Sequence, residues 1–343
     1  MLTPSSRIFV AGHQGLVGRA ISACLQEQGY SNLIFKTHAE LDLSKQSAVE
    51  AFFEKERPEV VVLAAAKVGG ILANNTYKAD FIYENLAIQT NTIHCAYKNG
   101  TQKLLFLGST CIYPKECPQP IKEEYLLNSP LEATNEPYAI AKIAGLKMCE
   151  AYNAQHGTNF IAAMPTNLYG EFDNFDLSNS HVLPALLRKL HLAKLLANKQ
   201  MDAVLKDLNL PEEQALNLLA QHGISAQSVR IWGSGKARRE FLHVKDLAHG
   251  CLFLLKHQKG TPTLNHTNIG TGEDISIQDL AYLIKGIVGF QGELEFDASK
   301  PDGTLLKCCD VSKISSLGWR AGIKLEEGIK GVYAWYLATT RAR

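Results

Sequence analysis

The stretch Gly12-His13-Gln14-Gly15-Leu16-Val17-Gly18 constrains the fold more than any other part of the chain. It follows directly on Arg7-Ile8-Phe9-Val10-Ala11, a short apolar run of the kind that forms a buried strand. It leads into residues 19–28, where Ile21 and Leu25 fall on one helical face and Gly29 supplies a stop. Strand, glycine loop and helix in that order make a dinucleotide-binding turn. The glycines let backbone N–H groups approach a pyrophosphate, and the helix N-terminus adds partial positive charge. Glycines at this spacing also occur in plain tight turns; their position at the first strand-to-helix junction argues for the nucleotide.

The pattern continues as alternating strands and helices. Leu33-Ile34-Phe35-Lys36 reads as the second strand, and Asp42 as the cap of a helix over residues 44–55. Val60-Val61-Val62-Leu63-Ala64-Ala65-Ala66 is a continuous apolar run, the mark of a central parallel strand. A loop at Lys67-Val68-Gly69-Gly70, a helix over 85–97 and a strand over 103–107 follow. A helix opens at Pro137, and residues 160–164 form another strand. After Tyr169-Gly170 the alternation breaks into polar loops, a helix from about Val182 and added helix across 195–229. The expectation is an α/β protein: a Rossmann-type, doubly wound parallel sheet over 1–170, to which about 240–270 return. A smaller α/β C-terminal substrate domain spans 171–239 and 271–343, with a helical insertion at about 195–229.

Composition excludes several classes. A formal net charge of +1 gives no reason to expect nucleic acid or an anionic membrane surface. No apolar run is long enough to span a bilayer, and residues 1–7 lack the apolar core of a signal peptide. The eight cysteines are scattered without a CxxC pair, and the adjacent Cys308 and Cys309 suit neither an ordinary disulfide nor a zinc site. Reduced thiols, a cytoplasmic location and no bound metal are expected.

Chemistry concentrates in two places. Tyr138 and Lys142 are four residues apart, so both lie on one face of the helix that Pro137 opens. A nearby ammonium favours phenolate and lowers the tyrosine pKa from its usual value of about 10. Ser109 ends the strand over 103–107, and Cys111, two residues on, shares its direction if the segment is extended. Lys36, Thr37 and His38 stand where an NAD site carries an acidic residue, and a cation there tolerates a 2′-phosphate, which favours NADP. Read alone, His181 could equally cap the helix that begins beside it.

Gly12, Gly15, Gly18, Ser109, Tyr138 and Lys142 together resemble the extended short-chain dehydrogenase/reductases that act on nucleotide sugars. The runs Ala64 to Gly70, Ser109-Thr110-Cys111-Ile112-Tyr113-Pro114, Pro165-Thr166-Asn167-Leu168-Tyr169-Gly170, Ser180-His181-Val182 and Ser299-Lys300-Pro301-Asp302-Gly303 resemble the branch of that family that makes GDP-L-fucose. The resemblance implies NADPH-dependent conversion of GDP-4-keto-6-deoxy-D-mannose, by epimerisation at C3 and C5 and then reduction at C4. It implies Cys111 as base, His181 as acid, and Ser109 and Tyr138 as hydrogen-bond partners of the C4 oxygen. Lys142 would hold the nicotinamide ribose. Gly12, His13, Gln14, Gly15, Leu16, Val17, Gly18, Lys36, His38, Leu107, Gly108, Pro165, Thr166, Asn167, Leu168 and His181 would line the cofactor. Lys189, one turn into the helix after His181, Trp232, Arg239, Asp302 and Lys307 would hold GDP. A homodimer paired through the helices at 85–97 and Pro137 is implied as well. Three departures stand out: Gln14 and His38 replace arginines of some relatives, Glu171 replaces a frequent proline, and the 195–229 segment is longer than usual. Conversion of a 3-deoxy substrate to GDP-L-colitose fits the same residues.

Overall fold

The structure is a computed structural model that describes residues 2–300 and 302–342. Along the chain run β1 (Ile8–Ala11), α1 (Leu16–Glu27), β2 (Leu33–Ile34), α2 (Gln46–Glu56), β3 (Val60–Leu63), α3 (Ile71–Thr76), α4 (Lys78–Lys98) and β4 (Lys103–Leu107). Then come α5 (Glu136–His156), β5 (Phe160–Pro165), β6 (Asn167–Tyr169), α6 (Val182–Ala197), α7 (Met201–Leu208), α8 (Glu212–Gln221), β7 (Ser228–Trp232) and β8 (Arg238–His243). The remainder holds α9 (Val244–His257), β9 (His266–Ile269), β10 (Asp274–Ser276), α10 (Ile277–Val288), β11 (Glu293–Asp297), β12 (Leu306–Lys307), α11 (Ser312–Ser316) and α12 (Leu325–Ala342). Two compact units result. The first is Met1–Leu168, Phe241–Gly272 and Cys308–Gly322; the second is Tyr169–Glu240, Glu273–Lys307 and Ile323–Arg343.

The first unit is built on one parallel sheet in the order β2-β1-β3-β4-β5-β9. Register runs Ile8 to Val60, Val60 to Lys103, Leu104 to Phe160 and Ala162 to His266. β1, β3, β4 and β5 are apolar at nearly every position because both faces are covered, whereas buried β9 carries His266, Thr267 and Asn268. Successive side chains point to opposite faces, so Phe9, Ala11, Val61, Leu63 and Phe106 join the core under α2, α4 and α5. Ile8, Val10, Val62, Leu105 and Leu107 join the core with Ile21, Leu25, Leu247 and Leu254 on the other face. That second core also takes Ile314 and Trp319, which is why Cys308–Gly322 belongs to this unit. Strand order reverses at β1, whose neighbours are β2 and β3, and the crevice beyond those strand ends is where such sheets bind ligands.

Several local expectations differ from the structure. The second strand is only Leu33–Ile34, which leaves Lys36 in the following loop. Asp42 does not cap α2; it accepts from Ser44 N and Oγ at 2.9 and 2.7 Å, and the helix begins four residues later at Gln46. Local side-chain-to-backbone bonds of this kind compete with helix. The central apolar run is strand only to Leu63, and α4 starts at Lys78 rather than near Asn85.

The second unit carries two small sheets. β7 pairs with β11 in parallel, and β8 pairs with β10 antiparallel and with β12 in parallel. α6 buries Leu183, Leu186, Leu187, Leu190 and Leu192. The added segment is two short helices, α7 and α8, and then a tight return in which Ile224 bridges Val229. It is tied down by a buried polar cluster. Arg188 Nε donates to Asp207 Oδ1 at 2.9 Å, Arg188 also reaches the Asp207 and Phe175 carbonyls, and Tyr336 Oη donates to Asp207 Oδ2 at 2.6 Å. The Asp207 side chain is 2% exposed, so removing it takes the buried counter-charge from Arg188 and the carboxylate acceptor from Tyr336. No helix among the described residues is long and apolar enough to cross a membrane.

Breaking a buried ion pair by removing one partner typically costs about 3–5 kcal/mol. Asp207→Ala is therefore expected to lower stability by about that amount in urea unfolding, whereas Lys330→Ala, in an exposed pair with Glu326, is expected to leave the unfolding midpoint nearly unchanged.

Candidate active site

The glycine loop closes on the end of β3. Gly12 has φ +84°, and a Cβ there would lie 2.8 Å from the Ala65 Cα and N. At Gly18, in the first turn of α1, a Cβ would lie 2.1 Å from the Gly12 carbonyl oxygen. Gly15 N donates to Gly12 O at 3.0 Å, and no side chain caps α1, so its first N–H groups stay available to an anion. Arg19 Nε holds the loop from outside through the Gln14 carbonyl at 2.7 Å. The His13 ring stacks on Phe35 at 5.0 Å, and its Nδ1 is buried with no hydrogen-bond partner. A backbone cradle that any Cβ would fill, an uncapped helix start and an orphaned polar atom all suit a bound dinucleotide.

Sequence reasoning missed Glu40. Its Oε2 accepts from Thr37 N and Thr37 Oγ1, both at 2.7 Å, which holds the carboxyl below its usual range; the charges of Lys36 and His13 act in the same direction. An acidic group thus stands beside the cations expected to greet a 2′-phosphate. Its signal was the spacing Thr37-x-x-Glu40, a side chain reaching back to a nearby backbone N–H.

At the end of β4 a Cβ on Gly108 would meet Met164 Sδ at 2.3 Å, so a side chain there would have to displace the Met164 thioether where β4 packs on β5. Ser109 then caps a 3-10 turn over Thr110–Ile112, and its Oγ accepts from Cys111 N at 3.2 Å. The segment is therefore turned and not extended as expected, because Ser109 satisfies a donor that an extended strand would leave free. Pro137 opens α5 within its first two positions, as its missing N–H allows. Tyr138 is half-buried and meets Phe81 edge-on at 6.4 Å. Lys142 is buried, donates to the Leu107 carbonyl at 2.8 Å, and holds its Nζ 5.7 Å from the Tyr138 ring centre.

Electrostatics here reverse one expectation. The Tyr138 phenol is pushed up, first by burial and then by the Cys111 charge, and the hydrogen bond with Ser109 offsets only part of this. Lys142 does not lower it, because burial acts on the ammonium too and pushes it down to about 7. Tyr138 is thus held as a protonated acid. Pro165, Thr166, Asn167 and Leu168 lie at or just past the end of β5, with Thr166 N bonded to the Ile269 carbonyl at 3.1 Å. The first unit therefore gathers the glycine loop, Leu107, Gly108, Ser109, Cys111, Tyr138, Lys142 and these four residues at the C-terminal edge of one sheet.

The second unit supplies the other candidates. His181 occupies the N-cap position of α6 with extended backbone, φ −72° and ψ 164°, but its side chain makes no cap bond. The imidazole is left for other work, and desolvation lowers its pKa. Lys189 lies two turns into α6, not one; it is buried, donates to the His222 and Arg230 carbonyls at 3.0 and 3.2 Å, and burial pushes it down to about 8. Trp232 is 64% exposed at the end of β7, with Lys300 Nζ 5.6 Å above its ring. Asp302 accepts from Ser234 N and Oγ at 2.6 and 2.7 Å, and a Cβ on Gly233, at φ +88°, would strike it. Arg239 donates to the Thr304 carbonyl at 2.5 Å, and Lys307 pairs with Arg239 in register between β12 and β8. In the run Ser299 to Gly303, Pro301 lies outside the described residues.

Residues 8–270 match the sequence profile of the NAD dependent epimerase/dehydratase family, and the chain belongs to that family. It is 54% identical to GDP-L-fucose synthase 1 of Arabidopsis thaliana over 337 residues, which cover 98% of this chain and 95% of that one. It is 49% identical to GDP-L-fucose synthase of Escherichia coli over 337 residues, 96% of each chain. Among solved structures, the GDP-mannoheptose C4 reductase of Campylobacter jejuni with NADP bound is 47% identical, with a TM-score of 0.89 over 98% of this chain and 100% of that one.

Gly18→Ala is expected to weaken dinucleotide binding at least tenfold in a fluorescence titration, since the new methyl must displace the Gly12 peptide. Gly29→Ala, at φ +83° with open space around it, is expected to leave affinity unchanged and to show only a modest loss of stability.

Proposed function

We propose that this chain is an NADPH-dependent epimerase-reductase that converts GDP-4-keto-6-deoxy-D-mannose to GDP-L-fucose. The observation that carries this reading is the 54% identity to a GDP-L-fucose synthase across 98% of the chain. The NADP in the Campylobacter reductase structure, and Lys36 and His38 after the second strand, support NADPH as cofactor. Gly12 to Gly18 would cradle its pyrophosphate, with Leu107, Gly108, Pro165, Thr166, Asn167 and Leu168 beyond the strand ends. When bound, it supplies the hydride for reduction at C4.

The chain's own groups would do the rest. The protons at C3 and C5 flank a ketone and are acidified by enolate formation. Cys111 removes them as base, and His181 returns protons from the other face. Ser109 and Tyr138 hydrogen-bond the C4 oxygen, stabilising first the enolate and then the alkoxide. Holding Tyr138 protonated suits that role, because an acid must keep its proton until the alkoxide forms. Lys142 holds the ribose and stays near Tyr138. Lys189, Trp232, Arg239, Asp302 and Lys307 form the GDP side: Trp232 offers an exposed ring for base stacking, and Arg239 a fork for phosphate. The working form is a cytoplasmic homodimer paired through α4 and α5, in line with the exposed Tyr83 and Ile140 on those helices.

The likeness to a GDP-mannoheptose C4 reductase favours a second reading, reduction of a GDP-4-keto-heptose. Purified protein is to be incubated with GDP-4-keto-6-deoxy-D-mannose, its 3-deoxy analogue and a GDP-4-keto-heptose, each with NADPH and with NADH. Turnover of the first with NADPH, with solvent deuterium appearing at C3 and C5, is expected. Turnover of only the 3-deoxy or only the heptose substrate would overturn the proposal.

Tyr138→Phe is expected to slow reduction by about 10²–10⁴-fold, read as NADPH oxidation. Cys111→Ala is expected to abolish deuterium uptake at both carbons; uptake at the wild-type rate would assign the base elsewhere.

A further inference from the structure

The loop between β6 and α6 holds two buried polar atoms that nothing satisfies. Asp173 Oδ2 and Ser180 Oγ are both shielded from solvent and both lack a hydrogen-bond partner. Their neighbours in the loop are not left this way. Asn174 Oδ1 accepts from Asp176 N at 2.9 Å, and Asp176 Oδ1 accepts from Ser178 N and Asn179 N at 3.0 and 2.9 Å. The backbone closes on itself, with Ser180 N donating to Asp176 O at 3.1 Å.

Nor is the loop loosely held. Phe172 packs on Trp335 at 4.9 Å, Phe175 packs on Tyr336 at 4.8 Å, and Arg188 donates to the Phe175 carbonyl at 3.2 Å. A loop pinned at three points would not leave a carboxylate oxygen and a hydroxyl buried and unpaired without a partner to come. The loop ends at His181, the candidate acid.

We infer that Asp173 and Ser180 bind hydroxyl groups of the sugar carried by the nucleotide substrate, an inference that rests on the proposed GDP-sugar reaction. The chemistry narrows the ligand. A phosphate would repel the Asp173 carboxylate, and an apolar group would leave both atoms unsatisfied. A sugar hydroxyl both donates and accepts, so it can meet the carboxyl in either protonation state and the serine in either direction. Burial pushes the Asp173 carboxyl up to about 7, so both states are populated near neutral pH.

The raised carboxyl also predicts a trade between stability and binding. An acid with a folded pKa above its unfolded value makes the folded state lose stability as pH rises from about 4 to about 7. Asp173→Asn removes that loss. The variant is therefore expected to melt at a higher temperature than the wild type at pH 8, with the difference shrinking towards pH 4.

The test is calorimetric titration of the full chain and of Asp173→Asn, Asp173→Ala and Ser180→Ala with GDP and with GDP-L-fucose. Asp173→Ala and Ser180→Ala are each expected to weaken GDP-L-fucose binding about tenfold or more, and Asp173→Asn, which can still donate and accept, by less, while GDP affinity stays within twofold. Equal loss for both ligands would make these residues nucleotide contacts or structural supports and overturn the proposal. Unchanged affinity for both would mean that buried water satisfies them, and would also overturn it. A wild-type chain that binds GDP but binds GDP-L-fucose no better would overturn the sugar contacts and the proposed substrate together. A wild-type preference for GDP-L-fucose that survives in the variants would overturn the residue assignment alone.

Discussion

The first unit depends on the closeness of two strand ends. Gly12 and Ala65 approach so nearly that no side chain fits at residue 12, and the same squeeze recurs where Gly18 faces the Gly12 carbonyl. This approach is possible only because β1 and β3 are adjacent parallel strands whose ends leave the sheet together. It brings the uncapped start of α1 to the end of the sheet. The core that fixes the strands is ordinary: Val61, Val62, Phe9 and Val10 are each sealed between helix layers. The unusual step is that the chain stops filling space with side chains at the strand ends.

Much of this was legible in the residues. Parallel strands sealed on both faces tend to be apolar, so Val60 to Leu63 and Leu104 to Leu107 announce themselves by composition alone, while the buried but polar β9 does not. Gly12 and Gly18, where no Cβ fits, mark the loop, and Pro137 marks the start of α5. What stayed hidden was decided by local competition or by distance in sequence. Asp42 had a nearer partner in Ser44 than the helix N-terminus. Ser109 bent the chain by accepting from Cys111 N. Nothing adjacent in sequence marks Asp207 as buried; its partners Arg188 and Tyr336 lie 19 and 129 residues away. Pattern reading sees neighbours at helical or strand spacing; it does not see these.

The candidate catalytic groups also share an electrostatic character that sequence could not give. A phenol beside an ammonium suggests a lowered tyrosine pKa, and the opposite holds here because burial acts on both groups. In each unit, desolvation drives the titratable groups towards neutrality: Lys142 to about 7 and Tyr138 upwards in the first, Lys189 to about 8, Asp173 to about 7 and His181 downwards in the second. Each unit thus carries groups whose charge is costly in the absence of ligand.

Such groups are poised to take their charge from what they bind. A phosphate placed near a buried lysine repays the desolvation that made its ammonium costly, and so raises its pKa again. By linkage, a phosphate bound beside Lys189, as proposed, would draw a proton onto the protein wherever the pH lies above the resting value. The Asp173 carboxyl behaves differently, since a hydroxyl ligand can serve either of its protonation states and imposes no such uptake. On the proposed assignments the two parts of a nucleotide sugar would be met differently, phosphate by cations that gain charge and hydroxyls by a carboxyl that tolerates neutrality.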